Sequence, residues 1–431
     1  MDWEAHTKAL QHRRDLALGA GTDLFYDNPL EIVRGEGVYL FDRSGRRYVD
    51  MYNNVPCVGH GNPAVARAMA EQQATLNVHN RYLHEGIVAF AERLAGLHHE
   101  GIESVVFSCS GTEANEVALR MARAVTGQRG IVCTDAAYHG SSGLVDALTG
   151  VGAHAGDASD VQGFPFPDCY RPLLSDVDDE SLGSAYLAEV SRAIHRLRQA
   201  GHGFAGLIVC PILANEGLPR IPKGLMARIT DLVHAQGGLM ISDEVQCGYG
   251  RTGYWWGYEY EGFVPDIAVS GKPMGNGLPL AATAASREHV NAFRAASGYF
   301  NTFASTPLQA AVGMAVLDEI ERLGLRQSAT EVGEWLLGEL MARQAEHACM
   351  GDVRGCGLFI SMELVKNAHI REPDAARAHA LTNLLKEEGF LLSNAGAYDN
   401  AIKIRPPLVF ARTQAEEFLP AFDRCMSLIN A

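Results

Sequence analysis

A chain of 431 residues, 47% hydrophobic and 20% charged, has room for about two to three domains and a sizeable core, as a soluble globular protein does. Its 36 basic and 51 acidic residues leave a formal charge of −15 with no basic cluster, which argues against nucleic acid or an anionic membrane as partner. Nine cysteines, odd in number and without Cys-x-x-Cys spacing, argue against a disulfide framework and for a reducing, cytoplasmic setting.

The predicted elements begin with a polar helical arm over residues 1 to about 24, whose start lacks the basic flank and apolar run of a signal peptide. Nowhere does an apolar run approach the roughly 20 residues of a membrane span. Two short strands, 38–42 and 47–51, flank Arg43-Ser44-Gly45 and form a hairpin signal. The Gly59-His60-Gly61-Asn62-Pro63 loop leads into a helix near 64–73; it lacks the spacing of a dinucleotide site.

From about residue 104, strand and helix alternate. Apolar strands are expected at 105–108, 130–134, 205–209, 239–242 and 266–269, with helices at 113–124, 183–199 and 225–236 between them. Residues 150–180, rich in Gly, Pro and Asp, read as irregular. Short apolar strands separated by helices imply an α/β fold with a mostly parallel sheet covered on both faces. Beyond about 310 come two long helices at 308–323 and 327–346, a strand entered through 353–359, another at 401–405, and a final helix opened by a Thr413-x-x-Glu416 capping box. The expected organisation is a large domain over 59–310 and a smaller α+β domain over 311–431, the latter joined by the arm and hairpin of 1–58.

Two residues at strand ends carry the chemistry. Asp243 follows the apolar run 239–242, where a carboxylate must find a partner or lose its charge. Lys272 follows the run 266–269 and opens a glycine-rich turn. Ligands of parallel sheets bind just beyond strand C-termini. An acid and a lysine there are the pair that an aldehyde cofactor of the pyridoxal type requires: the lysine for a Schiff base, the acid for the pyridinium nitrogen. The alternatives are a surface lysine and a buried ion pair.

Other stretches supply what such a cofactor needs. Ser110-Gly111-Thr112 lies between strand and helix, where backbone N–H groups can meet a phosphate, although alone it is more simply a helix cap. Tyr138 closes the next strand and can stack on a flat ring, or merely pack. Val245 lies two residues past Asp243, on the same face if the strand continues, and Gln246 can reach a cofactor hydroxyl. Arg405 ends a strand and offers a fork for a carboxylate, or a surface ion pair. No His-Glu-x-x-His and no clustered His or Cys suggests a metal.

Together, SGTEAN at 110–115, YHG at 138–140, DEVQCGYGRTG at 243–253, GKPMGNGLPLA at 271–281 and FNTFASTP at 300–307 resemble the class III aminotransferases, enzymes of the fold type I pyridoxal 5'-phosphate group, from about Leu24 to the C-terminus. The resemblance implies that Lys272 holds the cofactor as a Schiff base, Asp243 partners the pyridinium, and Gln246 sits near the phenolic oxygen. It implies that Tyr138 and Val245 sandwich the ring and that Gly111 and Thr112 bind phosphate. Thr302 would contact the same phosphate from a neighbouring subunit, making a homodimer or a dimer of dimers, and Arg405 would hold a substrate carboxylate.

Within the family the chain looks most like the ethanolamine-phosphate and phosphohydroxylysine phospho-lyases, through 52–55, 76–84, 271–277 and 351–364. It departs from many members in having Cys210 where they carry the glutamate of a Glu-Pro-x-x-Gly motif; Glu216, six positions on, is no obvious substitute. The implied activity is amino transfer from an amine or amino acid to a 2-oxo acid of the pyruvate or 2-oxoglutarate type. Elimination of phosphate or racemisation are the alternatives, and a non-catalytic cofactor-binding protein a remote one.

Overall fold

The computed structural model describes residues 3–150 and 159–429; part of the stretch expected to be irregular, 151–158, lies outside them. Its centre is a seven-stranded sheet in the order Ser104–Ser108, Ala281–Ala285, Ile267–Ser270, Leu239–Asp243, Gly206–Val209, Ile131–Thr134, Val161–Phe164. The last five are mutually parallel, and Ala281–Ala285 runs antiparallel to both its neighbours. These strands are apolar on both faces because both faces are covered. Val132, Leu207, Val209, Met240 and Ala268 pack on the side of the Asp179–Gln199 and Leu225–Ala235 helices. Their neighbours in sequence, Ile131, Cys133, Ile208, Ile241, Ile267 and Val269, face the Gly111–Thr126 and Arg287–Ala296 helices instead.

The strand Val161–Phe164 replaces irregular chain within 150–180. Its only large apolar side chains are Val161 and Phe164, too short a run to announce itself, and it is held by parallel pairing along Ile131–Thr134.

Both ends of the chain meet in one four-stranded sheet, where the expected hairpin Tyr39–Asp42/Arg47–Asp50 pairs in parallel with Phe390–Leu391. A second C-terminal sheet is built from Met350–Cys356, Phe359–Asn367, Ala401–Ile404 and Ser393–Ala395. The single strand expected to enter through 353–359 is in fact a tight hairpin. Gly357 turns it at φ +53°, and a Cβ there would lie 2.5 Å from the Arg251 carbonyl oxygen.

The final helix, Arg412–Ile429, starts before Thr413, so the expected capping box does not form. Gln414 Oε1 accepts from Ala411 N at 3.0 Å in its stead, and Glu416 pairs with Arg412 at 2.9 Å. No helix among the described residues is long and apolar enough to cross a membrane.

Candidate active site

Strand register brings the candidate residues to one edge. Asp243 pairs opposite Val269, so Lys272 emerges three residues beyond that level. Val209 pairs opposite Ser242, which sets Cys210 level with Asp243 on the next strand. Through Ala281–Ala285, Ser108 also ends at this edge, and the chain passes directly into the Gly111–Thr126 helix.

Lys272 opens a short 3-10 turn, Lys272–Gly275, that Pro273 favours and the left-handed Asn276 ends. The Asn276 side chain accepts from Val58 N and donates to the Gly59 carbonyl, both at 3.0 Å, which ties this turn to the Gly-His-Gly-Asn-Pro loop. Among the described residues no hydrogen bond or ion pair engages the Lys272 ammonium. Burial, and next the Arg405 charge, lower its pKa, so the neutral amine is more available near pH 7 than for an ordinary lysine.

Asp243 is buried, and each of its oxygens has a donor while Oδ1 keeps an acceptor position open. Oδ2 accepts from His139 Nδ1 at 2.7 Å and from Asn115 Nδ2 at 2.9 Å, and Oδ1 accepts from Val245 N at 3.0 Å. Asn115 also donates to the His139 carbonyl at 2.8 Å, closing a small ring of contacts. His139 Nε2 is buried without a partner. The strand stops at Asp243, so Val245 does not share its face by strand alternation, as expected from the sequence. A turn brings it round, and its methyls lie against Gly111, where an added Cβ would come within 3.0 Å of them.

A cavity of about 220 Å³ lies between these groups, lined by Gly111, Thr112, Tyr138, Asp243, Val245 and Lys272 among others. The residues fit pyridoxal phosphate. Ser110 caps the helix by accepting from Glu113 N at 3.2 Å, and the first-turn N–H groups of Gly111 and Thr112 are left without intrahelical acceptors, as a phosphate requires. Gly140, at φ +137°, lets the Tyr138 loop close on Thr112, since a Cβ there would lie 2.5 Å from Thr112 Oγ1. Asp243 supplies a buried anion for a pyridinium, and Lys272 an amine for the aldehyde.

Behind Gln246, which lines the cavity, lies a group of basic side chains. Arg405 is buried; its Nε donates to the Tyr52 carbonyl at 3.1 Å, Nη1 donates to Gln246 Oε1, and its guanidinium lies 4.9 Å from the Tyr52 ring centre. No carboxylate forms an ion pair with it among the described residues. Gln246 also donates to Asn215 Oδ1 at 3.1 Å, which leaves one amide N–H for the cavity. Two residues before Arg405, within the strand Ala401–Ile404, is Lys403, buried, with its side-chain nitrogen donating to the Ala214 carbonyl at 2.7 Å. Burial, then the Arg405 charge, push its pKa down to about 7. Cys210 faces this group. Glu216 does not replace the missing glutamate: it accepts from the Thr134 hydroxyl, and burial raises its pKa.

The structure thus places all the candidate residues along the cavity except two: Arg405 does not line it and reaches it through its bond to Gln246, and Thr302 is remote. Thr302 lies on an exposed loop and does not line the cavity. Sequence reasoning missed Asn115, His139, Asn215 and Lys403. The first two sit inside the quoted SGTEAN and YHG motifs, which was the available signal. Among the described residues no group of His, Cys, Asp and Glu is placed to hold a metal.

The family model described as "Aminotransferase class-III" matches residues 25–426, and the chain belongs to this family of pyridoxal-phosphate-dependent enzymes. It is 38% identical over 426 residues to the alanine–glyoxylate aminotransferase 2-like protein of Drosophila melanogaster, covering 96% of this chain and 86% of that one. Among solved structures, a phospholyase from Arthrobacter in complex with phosphoethanolamine superposes with a TM-score of 0.93 at 38% identity, covering 97% of this chain and 99% of that one. An amine transaminase from an uncultivated Pseudomonas species, in its PLP-bound form, superposes with a TM-score of 0.85 at 28% identity over 94% and 96% of the two chains.

Proposed function

We propose that this enzyme eliminates phosphate from a small phosphorylated amine of the phosphoethanolamine class. The observation that carries the reading is Arg405, a buried cation, with Lys403, a buried amine that an arriving anion would protonate, neither in an ion pair among the described residues, beside Cys210, which stands in place of a glutamate. Buried cations without anions favour an anionic ligand, and a phosphate dianion offers more charge and more acceptor oxygens than a carboxylate. The likeness to a phospholyase holding phosphoethanolamine points the same way.

When bound, pyridoxal phosphate supplies a ring that takes up the electron pair left at a deprotonated amine-bearing carbon. Asp243, held by His139 and Asn115, keeps the ring nitrogen protonated. Gly111 and Thr112 hold the cofactor's phosphate, and Tyr138 and Val245 enclose its ring. Lys272, its pKa lowered by burial, takes the proton from the substrate carbon. Arg405 and Lys403 hold the substrate's phosphate and stabilise the charge it carries away when its C–O bond breaks.

Amino transfer to a 2-oxo acid is the second reading, favoured by the 38% identity to an aminotransferase-like protein and by Arg405, whose planar fork suits a carboxylate equally. In either case the reading takes the working unit as a homodimer in the cytoplasm. Exposed Phe303 beside Thr302, and exposed Leu83, would be covered by the second copy, with Thr302 reaching the partner's cofactor phosphate.

Incubating the holoenzyme with phosphoethanolamine and no oxo acid separates the two. Many equivalents of inorganic phosphate and ammonia per active site are expected. Stoichiometric conversion of the cofactor to its amine form, without phosphate release, would assign transfer instead.

A further inference from the structure

Two thiols meet beside the candidate site. Cys210, which lines the cavity just past the Gly206–Val209 strand, has its Sγ 4.0 Å from Cys247 Sγ. That is about 2 Å more than a disulfide bond. Cys247 belongs to the turn after the Leu239–Asp243 strand, so the ends of two paired parallel strands carry the sulfurs to one place. Gly257, which opens the Gly257–Glu261 helix, packs close against the second sulfur: a Cβ there would lie 2.7 Å from Cys247 Sγ.

The two sulfurs have different settings. Cys210 reaches the cavity and interacts electrostatically with Lys272, Lys403 and Arg405, an electropositive, partly open setting of the kind reactive thiols occupy. Cys247 is fully buried, and burial, then Cys210, raise its pKa. Its thiol donates to Glu244 Oε2 at 3.1 Å. That carboxylate is held in place by Ser242 Oγ at 2.7 Å and by the N–H groups of Gly257 and Tyr258 at 2.6 and 3.0 Å. Burial raises the Glu244 pKa, which suits it to take up the thiol's proton. Cys356 packs against the same small apolar cluster.

We propose that Cys210 and Cys247 form a reversible disulfide when the enzyme meets hydrogen peroxide, and that this link disables the site. The Cys210 thiolate attacks the O–O bond and becomes a sulfenic acid; the hydroxide released takes up the proton the thiol had lost and leaves as water. Cys247 sulfur then attacks Cys210 sulfur as its own proton passes to Glu244. The S–S bond forms, the S–O bond breaks, and the departing hydroxide recovers the proton from Glu244 as a second water. Two thiols are oxidised and one peroxide is reduced. A reducing compartment permits transient links of this kind. The link draws the turn after Asp243 towards the neighbouring strand end, and that turn carries Val245 and Gln246. It forms whichever reaction the site performs.

The test treats the holoenzyme with hydrogen peroxide, alkylates it under denaturing conditions and maps its peptides without reductant by mass spectrometry. A Cys210–Cys247 link is expected, reversed by dithiothreitol. Turnover of whichever amine the enzyme accepts should fall about tenfold or more while the link persists, the cost of displaced positioning groups. In Cys247→Ser no link forms, and dithiothreitol no longer restores the Cys210 thiol, because an unresolved sulfenic acid goes on to sulfinic acid. Cys356→Ser should keep the link. A wild-type Cys210 that stays reduced, ends as sulfinic acid or links to Cys356 overturns the proposal, as does full turnover by the linked enzyme. Should Cys247→Ser fail to fold, loss of the link in Cys356→Ser overturns it just as directly.

Discussion

The two sides of the candidate site are built on opposite principles. On one, Asp243 has a donor on each oxygen, and those donors are themselves fixed: Asn115 by a second bond to the His139 carbonyl, Val245 by its turn. On the other, Arg405 is a buried cation and Lys403 a buried amine whose pKa falls to about 7, both bonded only to carbonyl and amide oxygens. A satisfied charge orients something that stays; an unsatisfied one waits for something that comes and goes. On the proposed reading, the first side serves a resident cofactor and the second a substrate.

Lys272 stands between them, and its replacement should have the largest effect. Lys272→Ala is expected to lower kcat by about a thousandfold or more toward every amine, since it removes the proton carrier. Steady-state assays check this, and retention of appreciable activity would take the lysine out of the mechanism. Asp243→Asn keeps the shape and the acceptor for Val245 but loses the anion. A fall of roughly 100- to 1000-fold in kcat is expected, with cofactor bound more weakly. Equal activity in the two proteins would mean that the satisfied side does not act on the ring.

The basic side should respond in binding rather than in the chemical step. Arg405→Gln is expected to raise KM for the phosphorylated amine about 10- to 100-fold, the cost of one charge-assisted contact. A change confined to kcat would contradict the assignment.

Lys403 makes a separate statement about stability. Its pKa falls from the ordinary 10.5 to about 7 on folding. Between those values the unfolded chain binds a proton that the folded chain has released, so stability rises with pH from about 7 to 10. One such group contributes up to about 1.4 kcal/mol per pH unit in that window. Denaturant melts of Lys403→Met across it should show a flatter profile than wild type; parallel profiles would mean that Lys403 is charged in the fold.

Asp243 and Lys272 were legible in the sequence because each terminates an apolar strand, and parallel register carries strand ends to a common edge. The proposed cofactor shell follows the same logic, through the strand-to-helix turn at Gly111 that the structure brings to this edge. What was hidden depends on contacts remote along the chain. Asn115 meets Asp243 across 128 positions, and Lys403 meets the Ala214 carbonyl across 189. Val245 was placed on the right face for the wrong reason, because a sequence run does not show where a strand stops. Thr302 shows the opposite limit: its motif was plain, but a single chain leaves it on an exposed loop.

Cys210 is where the two sides can be made alike, and its effect should be the smallest and most selective. Cys210→Glu places a carboxylate beside Arg405 and Lys403, giving the unsatisfied side an internal anion. A nearby negative charge raises lysine pKa values, so Lys403 should stay protonated to higher pH and Lys272 should become a weaker base near neutrality. A phosphate dianion must then displace or share that carboxylate. KM for phosphoethanolamine is expected to rise roughly tenfold, and the rising limb of the pH–rate profile to move to higher pH, with cofactor affinity unchanged because Asp243 is untouched. Phosphate release with an unaltered KM would show that the substrate's anion sits away from Cys210, and that the two sides do not divide the work between cofactor and substrate.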